Sequence, residues 1–318
     1  MRPSTGLAPL LLAMYAAPLA AQQVPDRAFM PSVTAPAWPA GDGPAVCLDE
    51  GHHNFHTLEG RYAAFGALLT RDGARVTPLR APFSAATLAP CTILVIANAQ
   101  PSDVPWERYP IPTPSAFTAA EVDAVRTWVA QGGALFLIAD HMPLAGAASA
   151  LAQAFGVTFV DGFAGPPAPA ARALRATMDR PALFARDDES LRDHAIVRGL
   201  VPAARISRIR TFTGQAFEAP RDAAPVLVVP QDWVMLLPER AWQFTDTTRA
   251  IPVGGWAQGL TLRPARGRVA IFGEAAMFSA QRAGPQGRPM GFNAPGAEQN
   301  AQFTLNVVHW LAGRLPDR

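Results

Sequence analysis

The sequence predicts an α/β protein built on a doubly wound, mostly parallel sheet with an antiparallel C-terminal extension. Four short apolar runs, "AVCLD" (45–49), "RVTPL" (75–79), "TILVIAN" (92–98) and "ALFLIAD" (134–140), are separated by segments with helical periodicity. Runs of this kind suit strands covered on both faces, the environment of a parallel sheet between two helix layers. Later, "QGLTLRPARGRVAIFG" reads as two strands joined by a Pro-Ala-Arg-Gly turn, a hairpin and therefore antiparallel.

The chain opens with Arg2, an apolar stretch from Leu7 to Leu19 and small residues before Gln22, the order of a secretory signal peptide over residues 1–21. A Pro-rich lead, 22–44, follows, and residues 45–318 read as a single α/β domain. Export, to the periplasm or outside the cell, is the expected destination. The first helix is expected over 57–70, with Thr57 as N-cap and Leu58, Tyr62, Phe65 and Leu69 on one face. The second, 118–131, opens with a Thr118/Glu121 capping box and stops at Gly132-Gly133. A third spans 144–155. Residues 161–205, rich in Pro, Ala and charge, have no strong period and read as an irregular insertion. Strand character returns at "SRIRTFTGQAF", "APVLVVP" and "WVMLL", and the chain closes on an amphipathic helix over roughly 297–311.

Formal charge is +2, and every basic residue is an arginine, scattered rather than clustered, so no nucleic-acid partner is implied. No later apolar run has the roughly 20 residues of a membrane span. An oxidising compartment would allow Cys47 and Cys91 to pair. Their placement, one near the C-terminal end of a strand and the other opening its neighbour, instead predicts two buried thiols.

The stretch "DEGHHNFHT" (49–57) places two carboxylates and three of the six histidines directly after the first strand. The spacing His52-x-x-x-His56 matches zinc proteases, but those need both histidines on one helix with a glutamate between them, whereas these precede the cap at Thr57. In an open parallel sheet, a loop at this position borders the ligand crevice. Asn98 and Gln100, Asp140 and His141, and Glu274 stand at the ends of other strands. Singly, each reads as a cap or a solvated side chain. Together, Asp49, Glu50, His52, His53, Asn98, Asp140, His141 and Glu274 are the binding candidates, with His56 at the margin or outside. A divalent metal, if one is held, would draw on Glu50, His52, His53, Asp140 and His141; no other cofactor is implied. Asp140-His141 occupies the position of a nucleophile elbow without Ser or Cys, and neither a dinucleotide nor a P-loop fingerprint occurs.

"CLDEGHHNFHTLEGRYAAFGALLTRDG", "FTAAEVDAVRTWVAQGGALFLIADHMPLAGAASALAQAFG", "DHAIVRGL" with "TFTGQAF", and "GEAAMFSAQ" with "NAQFTLNVVHWLAG" resemble the class I glutamine-amidotransferase-like superfamily. More narrowly they resemble exported proteins of unknown function related to the GldG-type and intraflagellar-transport domain. The resemblance implies a flavodoxin-like sheet and, through relatives thought to bind carbohydrate or act as assembly modules, a ligand or a protein partner. The amidotransferase cysteine would stand where this chain has Asp140-His141, so that activity is not carried over.

Two functions remain. One is an exported small-molecule or glycan-binding module using the rim residues, Trp233 or Trp256, and arginines. The other is a hydrolase using a metal or paired acid and base at the same rim. With no complete catalytic motif, binding is the favoured expectation.

Overall fold

The computed structural model describes residues 23–167 and 182–316. The expected signal peptide and part of the expected insertion lie outside the described residues. In chain order the elements begin with β1 (Gln23–Pro25), β2 (Ala45–Asp49), α1 (Ala63–Arg71), β3 (Arg75–Leu79), α2 (Ala85–Leu88) and β4 (Ile93–Ala97). They continue through α3 (Ala119–Ala130), β5 (Ala134–Ile138), α4 (Leu144–Gln153), β6 (Phe163–Gly165), β7 (Ala182–Ala185), α5 (Ala195–Arg198) and β8 (Arg208–Thr211). The remainder is β9 (Ala224–Val228), β10 (Val234–Leu237), β11 (Arg249–Pro252), β12 (Ala257–Leu262), β13 (Arg268–Phe272), β14 (Ala280–Ala283), β15 (Arg288–Gly291) and α6 (Asn300–Leu311).

A mixed seven-stranded sheet in the order β3-β2-β4-β5-β13-β12-β9 organises the molecule. The four pairings from β3 to β13 are parallel and the two beyond, β13 with β12 and β12 with β9, are antiparallel. Alternate side chains divide between two cores, as the period-2 geometry of a strand requires. Val46, Leu48, Ile93, Val95, Phe136 and Phe272 pack with α1 and α6; Leu94, Ile96, Leu135, Leu137 and Ile271 pack with α3 and α4.

Several expectations are corrected. α1 begins at Ala63, not after Thr57, because residues 57–62 form a turn in which Thr57 O accepts the N–H groups of Gly60 and Tyr62. Cys47 and Cys91 form a disulfide. Cys91 precedes β4 in a turn, its N–H on Leu88 O, and this brings its Cα to 5.7 Å from that of Cys47. The expected insertion is tied in at its start, since β6 pairs with β10 in a small β11-β10-β6 sheet. The lead is also structured: β1 pairs with β14, Ala37 N–H bonds Asp72 Oδ1 at 2.9 Å, and Trp38 packs edge-on against His309.

Candidate functional site

Parallel strands share a direction, so the residues after β2, β4, β5 and β13 emerge along one rim. Phe272 lies opposite Ile138 in the β13–β5 register, which places Glu274 beside Asp140, each two residues further along. Asn98 joins them: its Oδ1 accepts the Asp140 N–H at 2.9 Å, and its carbonyl accepts that of Phe55.

The "DEGHHNFH" loop divides into residues that build the rim and residues that leave it. His52 lies between carboxylates, Nδ1 at 2.8 Å from Asp49 Oδ1 and Nε2 at 2.9 Å from Glu121 Oε1. Burial alone would lower its pKa, but bonds and charge from Asp49 and Glu121 outweigh that and raise it. Glu121 is held down to about 2: burial opposes ionisation, and Thr118, His52 and the Phe83 N–H more than offset it. Asp49 also accepts from Asn54 Nδ2 and Gly51 N, so its oxygens are engaged inside the loop. Glu50 turns toward β3, taking the Leu58 N–H at 2.8 Å and Arg80 at 2.9 Å. His53 is exposed, 2.9 Å from Asp103.

The residues expected to hold a metal are therefore dispersed by individual partners, and among the described residues no three His, Cys, Asp or Glu side chains are placed to hold one. Trp233 is buried against Phe184, and Trp256 packs on the core. The rim carries Trp106 and Trp242 instead.

His56, expected at the margin, is only 2% exposed, and neither ring nitrogen has a hydrogen-bond partner. It packs 4.5 Å from the Tyr62 ring, centroid to centroid. Burial, with the Arg61 charge nearby, holds its pKa well below the usual histidine range, so the ring stays neutral. The Tyr62 hydroxyl donates to Ala275 O at 3.0 Å, and burial, then Glu274 and Asp140, push its pKa well up. Glu274 is fully buried and accepts the N–H groups of Ala276 and Met277, each at 2.8 Å. Burial and the Asp140 charge raise its pKa despite those bonds.

His141 donates Nδ1–H to Met142 O at 2.7 Å, stacks 4.5 Å from Phe163, and meets Trp242 edge-on at the same distance. These rings border a small open groove with room of about 20 Å³, on the scale of a single water, lined by Phe163, Thr213, Gly214, Trp242 and Phe244 among others. Gly214 separates the groove from Glu274: a Cβ there would come within 3.1 Å of the Glu274 Cβ.

Sequence reasoning thus missed Glu121, Tyr62, Trp106, Phe163 and Trp242. Glu121 was visible only as a capping-box residue, and the aromatic residues other than Tyr62 lie in stretches without period.

No family model matches the chain, and no curated protein matches it in sequence. Among solved structures it is similar to the mmIFT52 N-terminal domain at 14% identity and a TM-score of 0.56, over 84% of this chain and 97% of that one. That likeness establishes a shared α/β fold. Looser similarities reach a ThuA-like protein from Bacteroides uniformis (11% identity, TM-score 0.44, 88% and 94% covered) and a GMP synthase subunit from Thermoplasma acidophilum (10%, 0.38, 85% and 96%). At those scores neither supports a conclusion.

Proposed function

We propose that the chain is an exported binding module of the class I amidotransferase-like, doubly wound type, taking a small-molecule or glycan ligand at the C-terminal rim of its parallel strands. The observation carrying this reading is the aromatic groove beside Asp140-His141. Trp242 and Phe244 offer ring surface, Thr213 offers a hydroxyl, and His141 stacks on Phe163 and meets Trp242 from the rim side. With room of about 20 Å³, the groove takes an edge of a ring, so a ligand would lie across the aromatic surface rather than inside it. Export is supported by the order of residues 1–21 and by a disulfide, which persists in oxidising compartments. Titrating a glycan panel while following intrinsic tryptophan fluorescence tests the reading: binding should be lost in Trp242→Ala. Binding unaffected by that change, or no binding at all, refutes it.

A second reading, hydrolysis by paired carboxyls, draws on Asp140 and Glu274 lying side by side with Glu274 biased toward its protonated form. Glu274 has both oxygens on backbone N–H groups, which favours binding over catalysis. Turnover of nitrophenyl glycosides or esters that disappears in Asp140→Asn would reverse that preference.

A further inference from the structure

We infer that His141 reads the ligand of the rim through Nε2, which accepts a hydrogen bond from a hydroxyl of a neutral, hydroxyl-bearing ring; this deepens the rim-binding reading above and rests on it. His141 is 3% exposed, and its Nδ1–H is fixed on Met142 O at 2.7 Å. A backbone carbonyl can only accept. One ring proton therefore sits on Nδ1, and the neutral ring carries its lone pair on Nε2.

No group in the protein takes that lone pair. Among the described residues no donor bonds Nε2, and the one ion-pair contact it makes, with Asp140 Oδ1, is 3.9 Å long, beyond hydrogen-bond range. Asp140 Oδ1 already accepts the His141 backbone N–H at 2.9 Å. Both nitrogens of His56 are sealed from solvent without a partner; His141 Nε2, equally unpartnered, is not sealed. A nearly buried imidazole thus keeps one acceptor open to the outside.

The opening is set in aromatic surface. Phe163 covers one face of the ring, stacked at 4.5 Å and 14°, while Trp242 stands edge-on at 4.5 Å and Trp106 at 5.7 Å. Trp106 and Trp242 are half-buried, and the Trp106 Nε1–H is taken by Gln100 Oε1, which leaves that residue its ring surface to offer. One fixed polar atom among apolar rings is how a mostly apolar site sets a ligand's orientation. An acceptor requires a donor, so a pure hydrocarbon would leave Nε2 without its bond to water, at a cost. An anion would meet the charge of Asp140 next to it. A neutral sugar ring has an apolar face to lay on the tryptophan surface and a hydroxyl to turn toward Nε2.

The test joins a ligand series to a nitrogen signal. Glucose, galactose and mannose, each beside its monodeoxy analogues, are titrated into the intact chain in mildly alkaline solution while tryptophan fluorescence is followed. For a sugar that binds, loss of one particular hydroxyl should weaken binding about three- to tenfold, the worth of one neutral hydrogen bond. His141→Phe should weaken the parent sugar by a similar factor and bind parent and deoxy analogue alike. Because that substitution also strips Met142 O of its donor, a second readout does without it. With nitrogen-15-labelled histidine, the His141 ring should show a proton on Nδ1 and none on Nε2, and saturation with the parent sugar should move the Nε2 signal further than saturation with the deoxy analogue. A proton on Nε2, or a signal that both sugars move equally, overturns the inference. So does a hydroxyl dependence that survives in His141→Phe. If every deoxy analogue binds as well as its parent, with binding still lost in Trp242→Ala, the hydroxyl inference falls and the rim reading stands. Failure of every sugar to bind overturns both.

Discussion

Replacing His52 with glutamine should destabilise the protein most in mildly acidic solution. The His52 ring joins the end of β2 to the start of α3 through Asp49 at 2.8 Å and Glu121 at 2.9 Å, packed against Phe83 and Phe117. Breaking a buried pair by removing one partner costs about 3–5 kcal/mol. Here the remaining bonds to Glu121 (Thr118 N–H and hydroxyl, Phe83 N–H) and to Asp49 (Asn54, Gly51) survive, so the low end, about 3 kcal/mol, is expected. For a domain of this size that is roughly 6–12 °C in Tm.

The pH dependence has a definite sign. His52 has a raised folded pKa, so its contribution is complete below its unfolded value of 6.5 and disappears as pH rises through the folded one. Glu121 is lowered from 4.5 to about 2, so its contribution is complete above 4.5 and disappears as pH falls toward 2. The difference between wild type and His52→Gln should therefore be widest between those limits and shrink in alkaline solution. Urea denaturation of both proteins at about pH 5.5, 7.5 and 9 measures it. A difference that is flat with pH, or that grows as pH rises, refutes the doubly paired imidazolium.

Other outcomes follow from the same contacts. Native protein should show no free thiol to a thiol reagent, and reduction or Cys91→Ser should lower stability by about 2–4 kcal/mol, since the disulfide closes a loop with a sequence separation of 44. In thermal denaturation, His56→Phe should leave Tm unchanged or raise it, because it removes two unpaired buried nitrogens; a large loss of stability would make the histidine structural. Asp72→Ala removes the acceptor for Ala37 N–H and the partner 2.6 Å from His309 Nε2, so limited proteolysis should cut the lead between 31 and 43 faster than in wild type. Intact mass of protein recovered from the periplasm or the medium should correspond to cleavage near Ala20–Gln22, and retention of Met1 to Leu19 would count against the signal peptide proposed from the sequence.

Local pattern was enough to find the strands and several helix ends. "AVCLD" forms a strand at the expected residues because a continuous apolar run is buried inside a covered sheet, whereas "RVTPL" forms the edge strand β3 with Arg75, Thr77 and Pro78 exposed. Thr118 caps α3 with Glu121 returning to it because a capping box is closed within four residues. The shared rim was legible too, since parallel strand ends must face one way. What each rim residue does there was decided by partners distant in sequence. His52 looked like a ligand until Glu121, 69 residues away, took its second nitrogen; His56 looked marginal until folding buried it against Tyr62. Cys91 paired because a turn before β4 shifted it, and Trp106 and Trp242 reached the rim from loops with no period. What a residue can do over a few neighbours is written in the sequence, whereas burial, pairing and charge at a site depend on contacts made only when the whole chain closes.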